Sequence, residues 1–411
     1  MNHSQMDITE TWNFMELENQ FGAHNYKPVP VVISRGEGVY VWDADGTRYY
    51  DFLSAYSALN QGHRHPRLLK IAHEQLEQVT LTSRAFYNDK LGLAEQFLCE
   101  TFGFNKSLMM NSGVEAVETA LKLARRWGYD VKGIPTNEAV IVAAKHNFHG
   151  RTLGAISFST DAGSKRAFGP LLPGVEVINY NDIEALENSF KSGKVCAFLV
   201  EPIQGEAGVI VPDDGYITQV RELCTKYNVL MLADEIQTGL GRTGKLLCCD
   251  YENVKPDVLI LGKALSGGFS PISAVLCNDE IMLTIKPGEH GSTFGGNPFA
   301  AAIAVEAIKV IQEEHLVENA YELGFYFRER LKAIDSPLIK EVRGRGLFNA
   351  IQFNFPEEAP KGYELCIALM KNGLLAKDTH GNTIRFAPPL LITKSQIEEC
   401  CDIIEKTILA F

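Results

Sequence analysis

Between about residue 100 and residue 280 the chain alternates short, nearly uninterrupted apolar runs with stretches of helical periodicity. The runs AVIVAA (139–144), CAFLVE (196–201), VLMLAD (229–234), DVLILG (257–262) and ISAVLC (272–277) have the length and aliphatic content of strands. Between two of them, YITQVRELCTKYN (216–228) places Val220, Leu223, Cys224 and Tyr227 on one helical face. Side chains alternate between the two faces of a strand, so a strand apolar at successive positions has no solvated face. Both faces need cover, and the alternating helices supply it. The pattern predicts an α/β protein whose large domain is a mostly parallel sheet flanked by helices.

From Asn297 onward the periodicity changes. PFAAAIAVEAIKVIQEEHLVENAYELGFYFRERLKAI is rich in strong helix formers and predicts a long helix, broken or bent near Glu314–His315. After Pro337 come short strand-like segments (KEVRGRGLFNAIQF, LLAKD, TIRFAP) and two helical patterns, around 361–372 and 394–409, which read as a smaller α+β domain. The expected division is an N-terminal segment 1–40 packing with the small domain, a large domain 41–297, a connecting helix 298–334 and a small domain 335–411. At 411 residues the chain exceeds one comfortable core, which agrees with two domains.

Composition narrows the partners. Apolar content of 45% and charged content of 22% are those of an ordinary globular protein, and no apolar stretch approaches a bilayer span. A net charge of −12 argues against nucleic acid and anionic membranes, which need a positive footprint. The nine cysteines form no C-x-x-C and no metal-ligand spacing, so reduced thiols are expected, with neither a disulfide scaffold nor a metal. Residues 1–20 contain Asp7, Glu10, Glu16 and Glu18 and no Lys or Arg, unlike a signal or transit peptide. The expected location is the cytoplasm; a presequence removed ahead of this numbering would make the mitochondrial matrix the alternative.

Candidate chemistry collects at strand ends, where open parallel sheets bind their ligands. Glu201 ends CAFLVE, Asp234 ends VLMLAD, and Lys263 follows DVLILG amid Gly262, Ala264, Ser266, Gly267 and Gly268. A lone acid there is usually a cap or turn residue. Three polar groups on one edge, one of them an amine with room for something planar, point further. In MMNSGVEAVETALKLARRWG (109–128), Ser112 and Glu115 fit a capping box, a purely structural reading. The same Ser-Gly opening, with Gly113 allowing close approach, also suits a phosphate at a helix start. It matches neither nucleotide fingerprint, G-x-G-x-x-G or the Walker loop.

Three further motifs remain ambiguous from sequence. KHNFHGRTLGAIS (145–157) offers Phe148, His149 and Arg151, whose bland readings are core packing and a surface ion pair. GHRHP (62–66) lacks a third ligand and reads as a turn before a helix. EPIQGEAGVIVP (201–212) carries Glu201 and Glu206, but a glycosidase pair would leave Lys263 unexplained. A cofactor with a phosphate, a ring nitrogen and an aldehyde uses the helix start, the acid and the lysine together, and pyridoxal 5'-phosphate has all three.

VLMLADEIQTGLGRTGKL, LILGKALSGGFSPISAVL and GEHGSTFGGNP resemble the class III (subgroup II) aminotransferases of fold type I, and the resemblance runs from about Gly22 to Phe411. It implies a pyridoxal-phosphate enzyme in which Lys263 bonds the cofactor's aldehyde and shuttles a proton, while Asp234 pairs with the ring nitrogen. It further implies that Gln237 bonds the ring hydroxyl, Phe148 and Ile236 cover the ring faces, and Gly113 and Val114 donate backbone N–H groups to the phosphate. Ser292 and Thr293 match residues reaching the neighbouring subunit's phosphate, which implies a homodimer. GAHNYKPVPVV, DFLSAYSALNQGHRHP and NGLLAKDTHGNTIRFAPPL resemble the branch that acts on L-ornithine and 2-oxoglutarate by a ping-pong mechanism. There the implied substrate residues are Arg151 on the α-carboxylate, Tyr26 and Tyr56 near the α-amino end, Glu201, and Arg385 with Glu206 as its neutralising partner.

Acetylornithine and 4-aminobutyrate remain alternative substrates within the same class. A catalytically silent binding protein is the reading from another class, and the presence of Lys263, Asp234 and Arg385 argues against it. Two departures stand out: His149, where animal members often carry a bulkier aromatic, and Gly241 before Arg242. Neither is a catalytic position, and the effect of His149 on the mouth of the pocket is left open by the sequence.

Overall fold

The apolar runs assemble into a seven-stranded sheet in a computed structural model that describes residues 11–411. Residues 1–10, part of the acidic N-terminal stretch, lie outside the described residues. The strand order is Lys106–Met110, Ser273–Cys277, Val258–Leu261, Leu230–Asp234, Val195–Val200, Val140–Ala144, Val175–Ile178. The five strands from Val258–Leu261 to Val175–Ile178 run parallel, and Ser273–Cys277 is antiparallel to both its neighbours. The two edge strands are the ones that the apolar pattern does not reveal. Each has a neighbour on one side only and is partly exposed, so KSLMM and VEVI lack a continuous apolar run.

Both faces are covered, as the uninterrupted runs require. Ile141 and Ala143 pack with Ala120, Leu123, Ala124 and Trp127 of the helix Gly113–Asp130. Val142 and Ala144 turn the other way, onto a cluster with Ile217, Val220 and Cys224 of the helix Tyr216–Lys226. All nine cysteines are free thiols. Among the described residues no helix is long and apolar enough to cross a membrane.

A second, antiparallel sheet orders Ile339–Arg345, Phe348–Phe353, Thr383–Phe386 and Lys377–Thr379, with the helices Lys361–Lys371 and Lys394–Ala410 packed in the adjoining core. A third joins the strands Ile33–Glu37, Tyr40–Asp43 and Arg48–Asp51 to Leu374–Leu375, whose Leu374 pairs with Tyr50. The boundary expected at residue 41 therefore falls inside the strand Tyr40–Asp43, and backbone pairing with the C-terminal region continues to Asp51. The connecting helical stretch breaks where expected, into Pro298–Glu313 and Leu316–Lys332, separated where His315 adopts φ 54°.

Two local devices hold this framework at the ligand edge. Arg242 is fully buried and donates to Leu347 O (2.9 Å), Pro388 O (2.6 Å) and Asn60 Oδ1 (2.6 Å), tying three distant segments together. Burial pushes its guanidinium down to about 9, which leaves it charged at neutral pH. Gly241 precedes it with φ 87°, and a Cβ there would lie 3.0 Å from Leu390, so the backbone and its neighbour both call for glycine.

The second device is a left-handed turn of four non-glycine residues, Ser54 to Ser57, with φ of 47°, 48°, 59° and 72°. Asp51 holds it: Oδ1 accepts from Leu53 N (3.0 Å) and Ser54 N (2.8 Å), and Oδ2 meets His63 Nε2 at 2.8 Å. His65 meets Glu314 Oε2 at 3.1 Å and precedes the helix Pro66–Leu76, so the GHRHP motif is bound up with structure on both of its histidines.

Left-handed backbone costs an L-residue about 1–2 kcal/mol, and glycine escapes that cost while losing more chain entropy on folding. Ala55 is exposed, so its replacement disturbs little packing. Ala55→Gly is expected to raise the unfolding free energy by about 0.5–1 kcal/mol, and Ala55→Val to lower it, as read by chemical denaturation of the two variants beside the parent.

Candidate active site

Adjacent parallel strands ending in register bring the polar residues together. Val195–Val200 leads into Glu201, Leu230–Asp234 ends in Asp234, and Val258–Leu261 leads through Gly262 to Lys263. With the start of the helix Gly113–Asp130 they surround a cavity of about 180 Å³. Gly113, Val114, Phe148, Ile236 and Gln237 also line it, so the residues expected to hold a cofactor meet in one place.

The helix start carries the capping box: Ser112 N donates to Glu115 Oε2 at 2.6 Å, and Glu115 N to Ser112 Oγ at 3.4 Å. Burial favours the neutral acid, but the bonds from Ser112 and Asn111 outweigh it and hold Glu115 below the usual carboxylate range. The cap and an anion site are compatible, because the box engages the N–H groups of Ser112 and Glu115 and leaves those of Gly113 and Val114 facing the opening. A Cβ on Gly113 would come within 3.1 Å of Ile236 Cδ1, so glycine is what lets the helix start and Ile236 approach.

Lys263 is partly exposed to the cavity and has φ 45°, an uncommon backbone for a non-glycine residue. Burial lowers its ammonium below the ordinary lysine value, against the pull of Glu206, Asp234 and Glu201. The amine is thereby moved towards its neutral, nucleophilic form. Together the donors, the carboxylate, the amine and the slot between Phe148 and Ile236 suit a planar, anionic carbonyl compound.

His149, whose effect on the pocket the sequence leaves open, lies in the cavity wall. Its side chain is 0% exposed, and Nδ1 lies 2.7 Å from Asp234 Oδ2. The reason is Gly150, with φ 125°, where a Cβ would lie 2.3 Å from Val114 Cγ2: the chain turns tightly over the helix start and drives His149 inward. Burial pulls the imidazole down, but the Asp234 hydrogen bond and the charges of Asp234 and Glu201 more than offset it, and His149 is raised above the usual value. Glu201 accepts from Phe148 N (2.9 Å) and Gly205 N (3.4 Å), and burial pushes it up to about 7.

A wider cavity of about 400 Å³ shares the Phe148–Gly150 wall and adds Arg151, Glu206, Thr379 and His380. Arg151 is exposed, its guanidinium 5.5 Å from the Phe148 ring, with no ion-pair partner among the described residues. Arg385, in contrast, is 4% exposed and bonded to Glu206 at 2.6 Å. Burial favours the neutral acid, but Arg385 outweighs it and holds Glu206 below its ordinary value. Gln237 Nε2 bridges Glu206 Oε1 and Tyr56 O at 3.4 Å each, and the Arg385 guanidinium lies 5.3 Å from the Tyr56 ring.

Not every expected residue joins this group. Tyr26 is 71% exposed and lines neither cavity. Ser292 accepts from Asn111 Nδ2 at 2.8 Å, Thr293 is exposed, and neither lines the two cavities. Thr379 and Gly205 were not anticipated. Thr379 Oγ1 donates to Glu206 O at 2.9 Å from a distant segment, and no local pattern marks it. Gly205, where a Cβ would sit 1.8 Å from Gln237 Oε1, had a signal in its place between two acids of EPIQGEAG.

A carboxyl raised in the folded state binds its proton more tightly there than in the unfolded chain, so its stabilising contribution falls as pH rises from 4.5 through about 7. Glu201→Gln stays neutral throughout. The melting temperature of this variant minus that of the parent is expected to climb by about 2–4 °C between pH 5 and pH 8, as thermal melts across that range would register.

Residues 21–408 match the profile of the family described as Aminotransferase class-III. The chain is 58% identical to ornithine aminotransferase, mitochondrial, of Drosophila melanogaster, over 96% of this chain and 90% of that one. Among solved structures it superposes with TM-score 0.96 on the ornithine aminotransferase of Toxoplasma gondii, described with partial occupancy of PLP at its active site. That pair shares 48% identity over 98% of this chain and 95% of that one. It superposes with TM-score 0.90 on the acetylornithine aminotransferase of Elizabethkingia anophelis, at 54% identity over 98% and 99% of the two chains. With a sheet edge that gathers lysine, aspartate and a helix start into one cavity, and a family match across nearly the whole chain, this protein belongs to the class-III aminotransferases.

Proposed function

We propose that the protein transfers the δ-amino group of L-ornithine to 2-oxoglutarate, giving L-glutamate 5-semialdehyde, which cyclises, and L-glutamate. The observation that carries this reading is the pair of buried Arg385 and partly buried Glu206, 2.6 Å apart beside Lys263. Two substrates of opposite polarity must use one pocket in turn. Ornithine presents an ammonium at its reacting end, and a bare Arg385 would repel it; Glu206 cancels that charge. 2-Oxoglutarate presents a carboxylate beside its reacting carbonyl, and Arg385 becomes its bidentate partner once Glu206 turns away.

Pyridoxal 5'-phosphate would supply the carbonyl that receives the amino group and the ring that withdraws electrons. Lys263 would hold its aldehyde, Gly113 and Val114 its phosphate, Phe148 and Ile236 would cover its ring, Gln237 would bond the ring hydroxyl, and Asp234 would face the ring nitrogen. The Lys263 amine would move the proton at the reacting carbon. Arg151 clamps the α-carboxylate of ornithine, with Tyr26 and Tyr56 near its α-amino end, so the δ-amine is the one that reaches Lys263. The exposed, unpaired guanidinium of Arg151 supports that role.

A homodimer is part of this reading. Ser292 and Thr293 lie outside their own cavity, and next to them a groove of about 490 Å³ is walled by Leu76, Leu81, Phe294 and Phe299. In a dimer Ser292 and Thr293 would serve the neighbouring phosphate. The cytosol is the proposed location and the mitochondrial matrix the alternative, the Drosophila relative being named as mitochondrial.

Acetylornithine is the second reading, favoured by the Elizabethkingia structure. Incubation with ornithine and 2-oxoglutarate, followed by trapping of the cyclised product with an aminobenzaldehyde, is expected to give a coloured adduct; Lys263→Ala gives none. Turnover of acetylornithine without ornithine would overturn the assignment. Glu206→Gln unmasks Arg385 and is expected to raise kcat/KM for L-glutamate as amino donor about tenfold, roughly 1.4 kcal/mol, in half-reaction kinetics.

A further inference from the structure

The His149–Asp234 pair is the polar contact in the cavity wall to which the reading above gives no task. Asp234 Oδ1 accepts from Ile236 N at 3.2 Å, and Oδ2 meets His149 Nδ1 at 2.7 Å. One bond on each oxygen fixes the rotation of the carboxylate in its own plane. The imidazole is wholly buried, and its Nε2 has no hydrogen-bond partner among the described residues. An apolar ring would fill the same space without an unpartnered nitrogen. Asp234 from one strand end and Glu201 from the next both face the histidine, and Lys263 lines the same cavity.

We propose that His149 is a positioning residue: its Nδ1–H holds the Asp234 carboxylate aimed at the position where a cofactor's ring nitrogen would bind. This rests on the pyridoxal-phosphate reading of the cavity, but not on ornithine as the substrate. Asp234, held in that way, would stand opposite the ring nitrogen and favour the proton on it. Without the His149 bond the carboxylate is free to turn from that position, and the ring would lose part of its electron demand.

The test uses the holoenzyme with His149→Phe, which keeps the volume and removes the donor, and His149→Asn, whose amide nitrogen stands near the Nδ1 position. His149→Phe is expected to weaken cofactor retention about tenfold and to raise the midpoint pH of the bound cofactor's visible absorbance by about half to one unit. It is also expected to lower kcat about tenfold while KM for the amino donor stays within about threefold. His149→Asn is expected to restore retention and midpoint to within about threefold and about 0.3 unit of the parent. A folded His149→Phe enzyme with parental retention and midpoint overturns the proposal, as does an Asn variant as impaired as Phe. Retention and absorbance are read with no amino donor present, so failure of the ornithine assignment leaves this result standing on its own.

Discussion

Three adjacent parallel strands end in register, and the site depends on that alignment. Val200 pairs with Ala233 and Asp234 with Ile260, so the residues that follow are delivered to one edge at strand spacing. The strands are buried on both faces, which leaves their positions little freedom. Glu201, Asp234 and Lys263 need no long side-chain reach to meet. Desolvation then pushes Glu201 up and Lys263 down, and the charge of Asp234 acts on both, raising each.

Around that edge, backbone conformation does work that side chains could not. Glycines at 113, 150 and 205 each stand where a Cβ would strike a neighbouring side chain of the site, Ile236, Val114 or Gln237. The left-handed turn at Ser54–Ser57 presents the Tyr56 carbonyl to Gln237 and the Tyr56 ring to Arg385. Asp51 and His63 hold that turn, and Arg242 ties Asn60, just beyond it, to the segments at Leu347 and Pro388. The substrate side of the pocket is therefore assembled from chain segments more than 300 residues apart.

Desolvation of the Glu206–Arg385 pair offsets much of its attraction, so its net contribution to folding is small, and the task proposed for it is selection between ligands of opposite charge rather than stability. Gln237 and Thr379 also hold Glu206, through its carboxylate and its carbonyl, which gives the closed arrangement a defined geometry.

Periodicity and strand-end chemistry located five of the seven sheet strands, the capping box at Ser112 and the meeting of Lys263 and Asp234 at one sheet edge, because those features are local. Apolar runs report burial, and glycines beside a lysine report space. The edge strands Lys106–Met110 and Val175–Ile178 escaped because a half-exposed strand has no distinctive run. The break at His315 within the long helical stretch was visible, yet the pairing of Arg48–Asp51 with Leu374–Leu375 was not, since β-pairing between distant segments leaves no local mark. His149 marks the division most clearly. Its residue type was plain in the sequence, but whether it faced solvent or Asp234 was decided by the turn at Gly150 and the helix start packed against it, contacts that exist only once the chain has folded.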